Sequence, residues 1–167
     1  DRYDKEFASL LENNKDYAIK ILSIERGTPK PRKDIAKWIE VKPTYTYFFK
    51  ELFNPKSLEE YPFDFNKFSK DDIKAVCQKY ASIYTVETDK QLWFDKIKHL
   101  MENDGFANDM KLYKANPADY KGHYGDVSTI LRVALTTKTN TPELFEIMSL
   151  LGKDEVIKRL NKVCELL

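Results

Sequence analysis

Glycine is scarce in this sequence, with 5 in 167 residues, and a fold of many short strands would call for more turn glycines. Cysteine is scarcer still. Cys77 and Cys164 lie far apart on stretches patterned as amphipathic helices, which excludes a disulfide framework and fits a reduced, cytoplasmic protein. With His99 and His123 the only histidines and no cysteine pair at ligand spacing, a zinc site has too few ligands, and no metal is expected. No apolar run approaches the roughly 18 residues a membrane span needs, and no secretory leader is visible. Net charge is nearly absent too, at +1. Nucleic-acid binders usually carry a basic excess, so any such role rests on how the charge is distributed.

That distribution is uneven. Residues 1–50 hold 11 basic and 8 acidic side chains, residues 51–110 hold 8 and 12, and residues 111–167 hold 9 and 7. Two mildly basic ends flank an acidic middle, and a polyanion should meet the ends. The hydrophobic fraction of 42% and charged fraction of 33% suit a helix-rich globule that needs no cofactor to fold. The chain begins at Asp1 instead of Met, as a piece of a longer protein would.

Apolar spacing predicts two helices within residues 3–24 with a break at Asn13 and Asn14. Pro31 should open a helix continuing through Ile35, Trp38 and Ile39, and Pro43 another through residue 53. Residues 54–68 read as an irregular connection with a short helical turn at Ser57–Glu60, placing a subdomain seam between residues 1–66 and 67–167. Ser69 with Asp72, and Thr88 with Gln91, resemble capping boxes before two further helices. A short helix and loop precede "DVSTILRVALTT", apolar on most sides as a central buried helix would be. "TPELFEIMSLLG" then shows a Thr cap, Pro at the first helical position and a Gly stop, and "KDEVIKRLNKVCELL" closes the chain as an amphipathic helix. No strand is expected.

Catalytic motifs are missing: no phosphate loop, no nucleophile elbow, no HExxH. The acid pairs Asp71/Asp72 and Glu59/Glu60 point to different sides of their helices and read as solvated surface, and the two histidines as surface or capping groups. Three features rise above this background. "RGTPKPRK", residues 26–33, gathers Arg26, Lys30, Arg32 and Lys33 on a backbone stiffened by proline, either as a solvated loop or as a contact for phosphate or base edges. Arg132 sits inside the apolar "ILRVAL", a costly position unless it is paired or opens onto a ligand. "TNTPEL", residues 139–144, starts a helix and offers backbone N–H groups either to ordinary capping or to an anion or base edge.

The stretch "LRVALTTKTNTPELFEIMSLLGKDEVIKRL" resembles the C-terminal signature of bacterial glutamyl-tRNA synthetases, and "ERGTPKPRKDIAKWIEVKPTYTYFF" is similar to the start of the same anticodon-binding region in a longer, clostridial-type subgroup. The resemblance covers nearly the whole chain, carried by helix pattern more than motif between residues 54 and 122. It implies an all-α cage of helices in two packed subdomains that binds the anticodon loop of glutamate tRNA, with glutamine tRNA as a second candidate. In that family the catalytic domain, with its HIGH and KMSKS motifs and its ATP and magnesium, lies N-terminal; neither motif is present here, so this part is expected to aminoacylate nothing alone. Carried across by residue, Arg132 matches an arginine set against anticodon bases, while Thr141, Pro142 and Leu144 match the turn lining that pocket. Arg32 matches an arginine linked to the first anticodon base. Arg26, Lys30 and Lys33 would then hold phosphates. Where the family usually has Gly after LRVALT, this chain has Thr137. A class I lysyl-tRNA synthetase has a similar cage and is the close alternative. A helical protein-interaction module, with Trp38, Tyr45, Tyr47 and Phe48 forming a groove, is the reading from a different class.

Overall fold

A computed structural model describes residues 4–33, 35 and 37–167. It divides into two compact units, Asp1–Asn54 and Pro55–Leu167. The seam therefore falls earlier than the expected boundary at residue 66. Tyr61 and Phe63 explain the difference, because both precede residue 66 and are buried in the core of the second unit.

In the first unit, helix α1 (Lys5–Asn13) starts at Asp4, whose carboxylate accepts from the Phe7 amide at 2.9 Å. Asn14 separates it from α2 (Lys15–Ser23), as expected. The helix predicted from Pro31 is not formed: residues 31–33 and 35 are not helical, a 3-10 turn spans Trp38–Glu40, and Asp34 and Ala36 lie outside the described residues. Trp38 and Ile39 are 84% and 65% exposed, so the apolar stripe that would have held the helix buries against nothing. Short helices owe most of their stability to such burial.

Helix α3 (Val41–Tyr45) starts two residues before Pro43, which falls in the first turn where a missing N–H costs little. It is far shorter than predicted and continues only as a 3-10 turn at Thr46–Phe48. Phe49 takes the edges of both Phe7 and Tyr17 at 5.9 Å between ring centres, and the Tyr17 hydroxyl donates to the Phe48 carbonyl at 3.0 Å. Tyr45, Tyr47 and Phe48 are buried in this aromatic core. They are therefore not the partner groove that a protein-interaction module would need.

The second unit opens with the predicted turn at Leu58–Glu60, boxed by Ser57 and Glu60. Helix α4 (Lys70–Ile83) has the predicted box as well: the Ser69 hydroxyl accepts from the Asp72 amide at 3.1 Å, and Asp72 accepts from the Ser69 amide at 3.2 Å. Asp72 also pairs with Lys121 at 2.6 Å, so its carboxylate is structural, and those bonds hold it below the usual carboxylate range against its own partial desolvation. Helix α5 (Lys90–His99) is capped by Asp89 instead of Thr88, with Asp89 accepting from the Gln91 and Leu92 amides at 2.8 and 3.0 Å. A carboxylate caps and also meets the helix dipole, which a hydroxyl does not.

A two-residue parallel ladder, β1 (Phe106–Ala107) with β2 (Gly122–His123), was not expected. It brackets α6 (Met110–Ala115). Gly122 permits it, since a Cβ there would stand 2.7 Å from the Asp126 carboxylate and 3.1 Å from the Phe68 ring. His123 is a capping histidine, its Nδ1 accepting from the Gly125 amide at 3.0 Å at the start of α7 (Tyr124–Thr136). His99 is at the surface beside Glu102, 2.7 Å away.

Helix α7 is the buried central helix: Leu131, Ala134, Leu135 and Thr136 are wholly covered. Helices α4 and α9 (Lys153–Leu166) pack against each other and against it. Helix α8 (Leu144–Leu151) begins two residues after Pro142, so Thr141 is not its cap. Gly152, at φ 77°, makes the sharp stop before α9. Thr137 adopts φ 55°, the left-handed shape that glycine takes without penalty. The turn is thus shaped as a glycine turn with a β-branched residue in it. Replacing Thr137 by Gly should raise unfolding stability by about 1 kcal/mol, the strain of a non-glycine residue in that region, read as a higher urea midpoint at unchanged slope.

Candidate functional site

The expected site residues fall into two sets, one in each unit. In the first, the chain leaves α2 through Glu25, itself at φ 56°, and residues 26–33 run as an exposed turn and bend. Arg26 braces this corner, donating from Nη1 to the Arg32 carbonyl at 3.0 Å and from Nε to the Leu22 carbonyl at 3.3 Å. Thr28 donates from its hydroxyl to the Glu25 carbonyl at 3.2 Å. Arg32 is not in a first helical turn, and its Nε lies 3.7 Å from the Glu25 carboxylate. Lys30 and Lys33 project into solvent. Beside them a shallow groove of about 320 Å³ runs between Leu22, Arg26, Ile35, Lys37, Trp38 and Val41. The exposed Trp38 ring shares this groove with Arg26 and Lys37.

In the second unit the structure brings Arg132, Thr141, Pro142 and Leu144 together. Arg132 leaves α7 and donates from Nη1 to the Pro142 carbonyl at 2.7 Å and to the Thr141 hydroxyl, which in turn donates to the Pro142 carbonyl at 2.8 Å. Loop 137–143 closes over these bonds. Thr141 is only 6% exposed and Pro142 is also buried, so these two hold the arginine and do not present edges of their own. The residue at the start of α8 is Glu143, whose carboxylate pairs with Lys90 at the start of α5. That carboxylate makes no capping hydrogen bond to α8 and is turned toward Lys90, and a negative charge at this end suits the helix dipole.

Arg132 lines an open pocket of about 620 Å³ whose other walls are Lys90, Gln91, Trp93 and Phe94 from α5, Ser128 from α7, and Glu143 with Leu144. Its floor is rigid. Trp93 donates from its indole N–H to the Tyr80 hydroxyl at 2.9 Å, and Tyr84 donates to the Met148 carbonyl at 3.2 Å. Burial pushes the Tyr84 hydroxyl up to about 12 and Tyr80 higher, so both remain neutral donors. Phe94 meets Tyr124 edge-on at 5.5 Å between ring centres. A guanidinium, an aromatic face, an amide and a paired carboxylate around one opening can bind a flat, polar-edged ring. The sequence singled out Arg132 but not its α5 neighbours; "KQLWFDK" carries the pattern of an ordinary amphipathic helix, and only the packing of α5 against α7 makes it a wall.

Among the described residues no group of His, Cys, Asp or Glu could hold a metal ion, and no helix is long and apolar enough to cross a membrane. A family model described as an anticodon binding domain matches residues 6–164. The glutamate–tRNA ligases of Clostridium perfringens (strain SM101 / Type A) and Acetivibrio thermocellus are each 37% identical over 96% of this chain. That of Sorangium cellulosum is 34% identical over 96%. The chain spans 29%, 29% and 28% of the length of these relatives, in that order. No solved structure matches.

The geometry makes Arg132 a structural group as well as a pocket wall. Arg132→Ala should cost about 1–3 kcal/mol, the range for hydrogen bonds made by a charged group, and thermal unfolding should show it as a lowered midpoint. Thr141→Val, which keeps shape and removes the hydroxyl, should cost about 1 kcal/mol in the same assay.

Proposed function

The chain belongs to the anticodon-binding domain family, and from that premise we propose that it reads the anticodon loop of a tRNA as the C-terminal part of a glutamyl-tRNA synthetase. The observation that carries this reading is the pocket at Arg132. Its guanidinium is held in place by the Thr141–Pro142 loop before any ligand arrives, beside the Phe94 ring and the polar ends of Gln91, Ser128 and Glu143. An unstacked base would lie against the aromatic wall and be read along its edge. Arg132 would donate to base carbonyls, Glu143 would accept from an exocyclic amino group, and Leu144 would close the pocket's apolar side. Thr141 and Pro142 act through Arg132.

In the first unit, Arg26, Lys30 and Lys33 supply phosphate contacts, and Arg32 reads the first anticodon base after exchanging its bond to Glu25. That contact is long, at 3.7 Å, but the Glu25 oxygen facing Arg32 is buried, so base binding must offset the loss of its cation. Trp38 offers a face on which a neighbouring base can stack. The tRNA is glutamate-specific, with glutamine tRNA the second candidate. The names of the relatives favour this over the lysyl alternative. The remainder of the parent protein, N-terminal to this part, carries the ligase chemistry with its ATP and magnesium, in the cytoplasm. None of the described residues here fits the metal.

The test is binding of the 167-residue chain to anticodon stem-loops bearing UUC, CUG or UUU at two salt concentrations. UUC should bind best, with a log–log salt slope of about −0.7 for each phosphate engaged. Arg132→Lys should relax the preference by about 1–3 kcal/mol, since a single ammonium cannot replace a planar fork. Lys30→Ala with Lys33→Ala should weaken all three loops alike and flatten the slope. A folded chain that binds none of the loops at low salt would sink the reading.

A further inference from the structure

Cys77 and Cys164, remote in sequence, meet where α4 packs along α9. Cys164 Sγ lies 3.9 Å from the carbonyl of Lys74, one turn before Cys77, so both cysteines sit in the same α4–α9 seam. Both are free, yet their surroundings differ: Cys77 is fully buried in the core and Cys164 is half-buried at its edge. Interaction with Cys164 and burial push the Cys77 thiol up. The same interaction, helped by the Lys74 ammonium, draws Cys164 down to about 7 against its own partial burial. Cys77 therefore holds its proton, while Cys164 is the reachable and more readily ionised sulfur. Neither lines the pocket nor belongs to the basic corner.

We propose that Cys164 and Cys77 form a reversible thiol–disulfide site for low-molecular-weight disulfides of the glutathione class. The Cys164 thiolate attacks one sulfur of the small disulfide, forming a mixed disulfide and expelling one thiolate, which takes up a proton. Cys77 then attacks the Cys164 sulfur, and its proton passes to the departing small thiolate. The Cys77–Cys164 bond forms, the mixed bond breaks, and a second small thiol leaves. Two protein thiols are oxidised and one small disulfide is reduced to two thiols. Burial of Cys77 does not obstruct the second step, because its target lies in the same α4–α9 seam and not in solvent. The product links α4 to α9, the helix whose Arg159 holds the Leu135 carbonyl at the end of α7.

The experiment treats the folded 167-residue chain with excess glutathione disulfide at mildly alkaline pH. Thiols are then counted in denaturant and proteolytic peptides mapped by mass. Both thiols should disappear, one peptide pair should appear joined through Cys77 and Cys164 with no glutathione retained, and dithiothreitol should restore both thiols. The oxidised chain should melt at a higher temperature than the reduced one, since the cross-link restricts the unfolded state. Cys77→Ala, small enough for the core and checked by circular dichroism, should trap glutathione on Cys164. Stable glutathione on Cys164 of the unaltered chain, two thiols surviving prolonged exposure, or a link only between separate chains would each overturn the proposal. The unaltered chain decides this even if the alanine variant fails to fold.

Discussion

The end of α7 is buried, and the carbonyls of its last turn cannot turn to water. A helix leaves four such groups without partners at its C-terminus, and burying them unpaired costs several kcal/mol in sum. Here one of the solutions also fixes another element. Arg159 reaches from α9 to donate to the Leu135 carbonyl at 2.7 Å, and the Thr136 hydroxyl donates back to the Arg132 carbonyl at 2.7 Å. The Thr137 amide closes on Val133 at 2.8 Å, and the left-handed conformation of Thr137 then turns the chain off the helix. Arg159, at 3% exposure, brings a charge into the core that Glu155 matches at 2.7 Å. Removing either partner would strand the other, so the pair holds α9 in place even though an apolar pair of similar shape would cost less to bury.

From that turn the chain doubles back, and the pocket follows. Thr137 sends loop 137–143 past the side of α7 it has just left, where Arg132 collects the Thr141 and Pro142 oxygens. A guanidinium satisfied in this way loses little entropy when a ligand arrives, because its direction is already set. The corner in the first unit works differently. Its side chains are exposed, its backbone is braced by Arg26, and Glu25 supplies a weak internal counter-charge for Arg32. One arrangement favours shape and edge, the other favours charge.

The larger unit was legible where pattern and partner lie close in sequence. α7 showed itself by apolar residues on most sides, α4 by Ser69 and Asp72, and the α8–α9 turn by Gly152. The misreadings involve competition or distance. Asp89 outcompeted Thr88 because a charged cap meets the dipole as well as the amides. The helix predicted from Pro31 had the right period, but periodicity reports a face that can be buried without reporting whether anything buries it, and Trp38 remains bare. Arg159 and Glu155 stand one turn apart on an amphipathic helix, and only the packing of α9 against α7 turns that pair inward. Arg132 was visible because a charge within an apolar helix is conspicuous, whereas Lys90, Gln91 and Phe94 arrive from another helix with no local sign of it.

Near-zero net charge bears on RNA binding less than it first suggests, because the acids and bases serve separate purposes. Many carboxylates of the acidic middle are consumed locally: Asp72 and Asp89 cap helices, Asp104 pairs with Lys79, and Glu87 with Lys96. A carboxylate paired at short range adds little field beyond a Debye length of about 8 Å at physiological salt. Lys30 and Lys33 stand exposed on the corner, Trp38 stands exposed a short way along the chain, and Glu25 faces Arg32 at 3.7 Å. The potential a polyanion meets is set by such local imbalances and not by the sum over 167 residues. Total charge in this chain therefore reflects how many carboxylates cap helices or pair with lysines, and says little about any single face.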